Sequence, residues 1–448
     1  MDLAPEDEAL RPTLHPLKIF DHARSQKRYV YACAPMVRYS KLAFRQTVHH
    51  YNTDLCWTPM ILAKEFNRST IARDSDFTIA LPSLASPTGA LSTSRQPPTI
   101  VQFGANVPAE LARAASLVAP YASGVDLNCG CPQSWACAET LGAALMEERE
   151  LVRDMLVTTR QRLHDDGWAV NLDSPESEAA TKASPKGRSV SVKIRVHGDL
   201  RKTVDFIETV LGDHGGSSPG RRNVDWLTIH PRTRRTPSST PISVEKLSLL
   251  TDMFGDRVPI LVSGDVFTLR HLPYTSHLLA PEPTFTSRAE LDRQAEEIDD
   301  EQDSKSATPQ LRQPSPSLGS ATPTTATAGV DLSDAAKKAA ALPNIPKLRG
   351  LMAARALLAN PALFSGHETC PWEAVDVFMS NLARAPLPLK LAVHHLTEMC
   401  GPGYGPDKRS LLTRKERSYL CELGNMVDVV DFLDEVRKEH GGIRRLDV

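Results

Sequence analysis

Eight short apolar runs, each bounded by turn residues and followed by a stretch of helical periodicity, constrain what this chain can fold into. The first four are YVYACAPM (29–36), DLCWTPMI (54–61), TIVQFGA (99–105) and GVDLNCG (124–130). VSVKIRV (190–196), VDWLTIHP (224–231), RVPILVSGDV (257–266) and LRGLMAAR (348–355) follow. Each is nearly continuously apolar and rich in Val, Ile and Leu, as strands buried on both faces are. Amphipathic segments lie between them: KLAFRQTVHHY (41–51), PAELARAASLVAPYA (108–122), LVRDMLVTTRQRLHD (151–165) and SVEKLSLLTDMF (243–254). Strand alternating with helix implies parallel pairing, and eight such units predict a (β/α)8 TIM barrel in the α/β class. An open doubly wound sheet is the rival, and periodicity alone does not separate the two.

Three stretches interrupt the pattern. Residues 82–98 and 171–189 read as surface insertions. The third, about 281–345, has an acidic core (EEIDDEQD, 296–303) and then a Pro/Ser/Thr/Ala tract with few apolar residues to offset the entropy of ordering. It is expected to be a disordered spacer. The 34 prolines cluster, as they do in linkers. Beyond Pro371 the spacing becomes helical throughout, in WEAVDVFMSNLARA, LKLAVHHLTEMC and MVDVVDFLDEVRKEH. The expected organisation is an N-terminal extension (1–28), a barrel (29–366) interrupted at about 281–345, and a C-terminal all-helical domain (371–448).

A formal net charge of −2 counts against an indiscriminate nucleic-acid binder, so any RNA contact must rest on local positive charge. The opening MDLAPEDEALRPTLHP has no basic start and no apolar region, and no run of about 18 apolar residues exists. The expectation is a protein without membrane attachment in the cytoplasm or nucleus, its eight cysteines reduced. Cys129, Cys131 and Cys137 have C-x-C-x5-C spacing with no CxxC partner, so no metal site is expected. Cys33, Cys56 and Cys421 read as buried structural thiols.

In a barrel the carboxyl ends of the strands form one mouth. Residues there are Pro35, Met36 and Val37 after the first run, Gln102 in the third, and Asn128 to Pro132 after the fourth. Lys193 lies in the fifth, His230 and Arg232 end the sixth, Ser263, Gly264 and Asp265 the seventh, and Ala354 and Arg355 the eighth. Gly264 and Arg355 fall on adjoining strand ends, the usual phosphate position. Lys193 inside an apolar strand calls for an anion, an electron-rich ring or an ion-pair partner. An ordinary thiol is protonated near neutrality. Cys131, aimed by Gly130 and Pro132, therefore suits protonation of a carbanion, with a Cys131–His230 pair as the alternative. Arg232, Arg234 and Arg235 follow the sixth run, and Lys390, His394, His395, Lys408, Arg409, Arg414, Lys415 and Arg417 lie in the helical tail.

APMVRYSKLAFR, TPMI, VQFGAN, DLNCGCPQSWA, VKIRV, TIHPRTR, SGD and MAARALLANPALF, in that order, resemble the tRNA-dihydrouridine synthases over roughly residues 29–366. YSKLAFR, NCGCPQ and AARALLANP most resemble the eukaryotic subgroup acting at tRNA positions 20a and 20b. The resemblance implies an oxidoreductase with FMN as cofactor, NADPH (or NADH) as hydride donor and tRNA as substrate; a monomer is expected. It implies that Pro35, Met36 and Val37 back the flavin ring while Gln102, Lys193 and His230 contact ring and ribityl chain. Ser263, Gly264, Asp265, Ala354 and Arg355 would hold the phosphate end. Cys131 would protonate C5 of uracil, with Asn128 near the base, Arg232 and Arg234 toward the RNA, and the helical tail binding tRNA. Ser263 replaces a usual Asn, Pro231 a Gly, Arg349 an Asp and Ala356 a common Gly. A different FMN barrel oxidoreductase and a non-catalytic RNA-binding homologue are the alternatives.

Overall fold

Successive side chains of a strand point to opposite faces, so a closed ring of strands puts one set inside and the other against surrounding helices. The protein, analysed as a computed structural model, is described over residues 15–78, 97–212, 222–275 and 342–440. It comprises two units, Met1–Pro281 with Pro343–Val448, and Glu282–Leu342. The expected spacer at 281–345 falls almost wholly in the second unit and, up to residue 341, outside the described residues, as does most of the stretch 82–98.

The strands are β1 (Val30–Cys33), β2 (Leu55–Trp57), β3 (Ile61–Leu62), β4 (Thr99–Gly104) and β5 (Gly124–Cys129). They continue as β6 (Ser189–Ile194), β7 (Leu227–Ile229), β8 (Ile260–Ser263) and β9 (Gly350–Ala353). All pairings are parallel, and β1 pairs both β2 and β9, which closes the sheet. β2 and β3 share one place in the ring, since both pair β4. Pro59, with no N–H to donate, lies between them. The result is the eight-membered barrel that the alternation predicts, and the doubly wound alternative is excluded by the β1–β9 closure.

Two apolar clusters follow from the alternation. Tyr31, Val101, Phe103, Leu127, Val192, Ile194, Ile229 and Val262 face outward against the helical layer. Val30, Ala32, Leu55, Trp57, Ile100, Leu261 and Met352 face inward and join Leu17, Ile19, Phe20 and Ala23 of the helix Pro16–Ser25. That helix closes the amino-terminal end of the barrel, where Phe20 meets Trp226 at 5.6 Å between ring centres and Trp226 meets Trp57 at 6.1 Å. The opposite end stays polar.

The stretch 171–189, expected to be a surface insertion, instead contains the helix Pro175–Ala183. Ser174 caps it through a reciprocal pair with Ser177, and Pro175 occupies the first turn. Cys33 and Cys56 are buried as expected, but Cys421 is exposed, because its helix Arg414–Glu422 buries only Leu420.

The tail forms the helices Trp372–Arg384, Leu389–Met399, Arg414–Glu422 and Met426–His440, within the same unit as the barrel. Asn381 Nδ2 donates to Thr47 Oγ1 of the helix Leu42–His50 at 3.1 Å. Fully buried His395 sits among Phe44, Phe378 and Tyr39. Tyr404 stacks on Phe267, beyond β8, at 5.6 Å and 12°. Packing of these rings, with His395, Phe44 and Phe378 buried, is what fixes the tail on the barrel.

Candidate active site

Strand register assembles the site in two layers. Gln102 on β4, Asp126 on β5 and Ser191 on β6 are register partners. One step nearer the mouth, Asn128, Lys193 and Thr228 on β5, β6 and β7 are partners in turn. The lower layer is hydrogen-bonded throughout. Ser191 Oγ donates to Asp126 Oδ1 at 2.6 Å and Gln102 Nε2 donates to Asp126 Oδ2 at 2.7 Å. Asn128 Nδ2 donates to Gln102 Oε1 at 2.7 Å, linking the layers. Burial pushes the Asp126 carboxyl up to about 6, against the hydrogen bonds from Gln102 and Ser191 and the charge of Lys193.

The chain of bonds ends on the cysteine loop. Asn128 Oδ1 accepts from the amides of Gly130 at 2.9 Å and Cys131 at 2.8 Å. Arg195 Nε donates to Gly130 O at 2.7 Å, and the Cys131 carbonyl accepts from Ala143 N at 2.8 Å. Gly142, at φ +59°, leaves room for this, since a Cβ there would stand 2.5 Å from the Cys131 carbonyl oxygen. The loop is rigid by construction. Its thiol is partly open, and Pro132, Gln133, Ser134 and Trp135 beyond it are exposed.

Lys193 has no ion pair or hydrogen bond among the described residues. Burial and the neighbouring Arg195 lower its ammonium to about 8, against Asp126 and Cys131, which favour the charge. His230 is pushed down to about 2, first by burial and then by the cations Lys193, Arg195, Arg232 and Arg355. Cys131 thus acts electrostatically on Lys193, and Lys193 and Arg355 act on His230, at the carboxyl ends of the strands. Gly264, at φ +111°, packs on His230, where a Cβ would meet the ring at 3.0 Å.

Several predicted residues take places that differ from their expected roles. Gln102 is fully buried with one bond at each end of its amide, and through these it backs Asn128. Asn128 is committed to the loop. Arg232 is only 4% exposed and pairs with Asp265 inside, so it is not presented to an RNA backbone. The Asp265 carboxylate accepts from Arg232 and from Ile242 N at 2.7 Å, which leaves its backbone for a phosphate role. Arg234 and Arg235 are exposed. Met36 and Pro35 are half-buried at the mouth, Val37 is exposed, and Met36 N donates to Ser40 Oγ at 2.8 Å. Ser263 is buried, facing inward at the end of β8. Ala354 is half-buried, and exposed Arg355 lies over Tyr404, 5.6 Å from its ring centre. Arg349 stands at the foot of β9 near Arg24, away from the mouth.

Sequence reasoning missed Asp126, Ser191, Arg195 and Gly142. The first two had a signal: Asp126-x-Asn128, Ser191-x-Lys193 and Thr228-x-His230 repeat a polar pair at the strand period on three successive strands.

Comparison with known proteins narrows the chemistry. A family model described as Dihydrouridine synthase (Dus) matches residues 32–167. A Mus musculus protein named tRNA-dihydrouridine(20a/20b) synthase (NAD(P)+)-like is 30% identical over 94% of this chain and 91% of its own length. The chain belongs to the dihydrouridine synthase family. Other members include the similarly named Homo sapiens protein, 29% identical over 94% of this chain and 93% of its own. The tRNA-dihydrouridine(20a/20b) synthase (NAD(P)+) of Saccharomyces cerevisiae is 29% identical over 97% and 87%. The family match spans β1 to the helix Arg149–Asp165 and so includes Gln102, Asp126, Asn128 and Cys131. Among the described residues no group of His, Cys, Asp or Glu could hold a metal, and no helix is long and apolar enough to cross a membrane.

Proposed function

We propose that this protein reduces uridine in tRNA to 5,6-dihydrouridine, at positions 20a and 20b, with FMN in the barrel mouth and NADPH as reductant. The observation that carries the reading is the single mouth shared by a partly open thiol, an ammonium without an ion pair and a neutral imidazole. The names of the full-length relatives support both the tRNA substrate and the nicotinamide donor.

The donors present suit FMN. Lys193 offers an unpaired ammonium to an electron-rich ring or carbonyl, and His230 Nδ1 has no partner among the described residues. Gly264 has no side chain to block the end of β8, and Arg355 begins the helix after β9, beside it in the ring. Pro35, Met36, Val37, Ser263 and Ala354 complete the walls. When bound, FMN supplies the hydride that adds to C6 of uracil.

The chain's own residues do the rest. Cys131 donates its proton to C5, completing addition of two hydrogens across the double bond. Asn128, backed by Gln102 and Asp126, keeps that thiol at a fixed height by holding two loop amides. Lys193 keeps positive charge where electron density builds. A uracil reaches the mouth only by leaving its stack. Arg234, Arg235, Lys390, Arg414 and Lys415 are exposed and without ion pairs among the described residues, and they hold tRNA phosphates. The helical tail, residues 371–448, serves as the tRNA-binding domain. The enzyme works as a monomer in cytoplasm or nucleus.

The test is incubation with FMN, NADPH and unmodified tRNA, followed by mapping of dihydrouridine. Product at positions 20a and 20b is expected. A flavin-loaded protein that oxidises NADPH yet leaves every tRNA uridine intact overturns the reading.

A further inference from the structure

We infer that Arg232 is a positioning residue that holds His230 as a neutral ring with its proton on Nδ1, making it a fixed hydrogen-bond donor to the mouth rather than an acid or base.

The argument begins with what a guanidinium can do. Arg232 Nη1 lies 3.0 Å from His230 Nε2, and a guanidinium has donors only, so Nε2 must present its lone pair. An imidazole accepting at Nε2 carries its proton on Nδ1 and is uncharged. Arg232 cannot swing away to release it. Its Nε donates to Thr240 O at 2.6 Å, and its Nη2 pairs with Asp265 Oδ1 at 2.5 Å. Asp265 is itself held by Ile242 N at 2.7 Å. The ion pair at the centre of this clamp is inside the protein, with Arg232 4% and Asp265 11% exposed at their side chains.

The ring is also oriented. A Cβ on Gly264 would stand 3.0 Å from both Cδ2 and Nε2, so that edge faces the end of β8. Nδ1 is the vertex opposite that edge, and it has no partner among the described residues. The charged groups that act most on the ring argue the same way: Lys193, Arg195, Arg232 and Arg355 all oppose an imidazolium, and the Asp265 carboxylate is paired with Arg232. The ligand this site takes is therefore an acceptor, a carbonyl oxygen or an unprotonated ring nitrogen. That the acceptor belongs to FMN rests on the function proposed above; the tautomer does not.

The test uses the full chain labelled with 15N-histidine. Ring-nitrogen NMR between pH 5 and 8 is expected to show His230, assigned by its loss in His230→Gln, as one neutral species with the proton on Nδ1. In Arg232→Met, where burial and the other cations still oppose an imidazolium, the resonance is expected to stay neutral and to become a mixture of the two tautomers. Loss of the preset donor is expected to weaken FMN, read by flavin fluorescence quenching, about five- to ten-fold. Asp265→Asn, which loosens the clamp without removing it, is expected to fall between. A proton on Nε2 in the wild-type protein, titration of wild-type His230 above pH 5, or an unchanged tautomer in folded Arg232→Met would each overturn the inference. Should Arg232→Met not fold, the wild-type spectrum decides alone. A wild-type protein with the expected tautomer but no FMN binding would contradict the proposed function and leave this inference standing.

Discussion

Lys193 on β6 lies in register beside Asn128 on β5, so the ammonium and the amide that pins the cysteine loop are neighbours in one layer of the barrel. Charge and positioning are therefore set by strand pairing, and both are open to test.

Asp126 beneath them is an ionisable group in a sealed layer. Its folded value of about 6 stands above the ordinary carboxyl value, so its ionisation costs stability as pH rises from about 4 through about 6. Asp126→Asn removes that cost, on the order of 2–3 kcal/mol. Between pH 4.5 and 7 the urea midpoint of the wild type is expected to fall relative to that of the variant. Equal pH dependence would contradict the assignment.

Lys193 is needed as a cation, and its value of about 8 places the loss of charge within reach. FMN affinity is expected to fall as pH rises through about 8. Lys193→Gln should bind more weakly, with a flat profile over the same range. Titrating FMN at pH 7 and 9 checks both statements.

Gly142 supports the thiol from below. Gly142→Ala adds a Cβ 2.5 Å from the Cys131 carbonyl oxygen at a φ of +59°. A destabilisation of about 1–3 kcal/mol is expected. Flavin loading should be retained, because the change lies on the cysteine side of the mouth, while product formation slows. Loss of flavin with unchanged turnover per flavin would argue against this picture.

His395 holds the tail to the barrel as an uncharged ring, and neither of its nitrogens has a hydrogen-bond partner. Burial lowers it to about 3, so stability present above the ordinary histidine value is lost as pH falls from about 6.5 toward 3. His395→Leu should lessen the drop in thermal midpoint between pH 7 and 4.5. An identical drop in both proteins would mean that this ring takes up its proton at the same pH in the folded and unfolded chain and is not held neutral by burial.

The barrel was legible because its strands are short, mostly apolar runs and its helices carry their own period. Cys131, Lys193 and His230 stood out as reactive groups at predicted strand ends. The support beneath them was not legible, since which strand residue faces which depends on register. Gln102 reads as a ligand contact in sequence and becomes an internal link only once Asp126 and Asn128 are placed on either side of it. Arg232 looked like an RNA contact because it sits in a cluster of arginines. Its partner Asp265 lies 33 residues further on, a pairing that no local pattern displays. The helix Pro16–Ser25 escaped for a similar reason, since its apolar face is completed by Trp226 from a distant strand.

The most direct measurement separates the two half-reactions. Protein loaded with FMN is reduced by NADPH under anaerobic conditions and then mixed with unmodified tRNA, while flavin absorbance is followed. Cys131→Ala should be reduced by NADPH at the wild-type rate and reoxidised by tRNA at least about a hundred-fold more slowly, in line with loss of a positioned proton donor. Reoxidation of Cys131→Ala by tRNA at the wild-type rate would contradict the account.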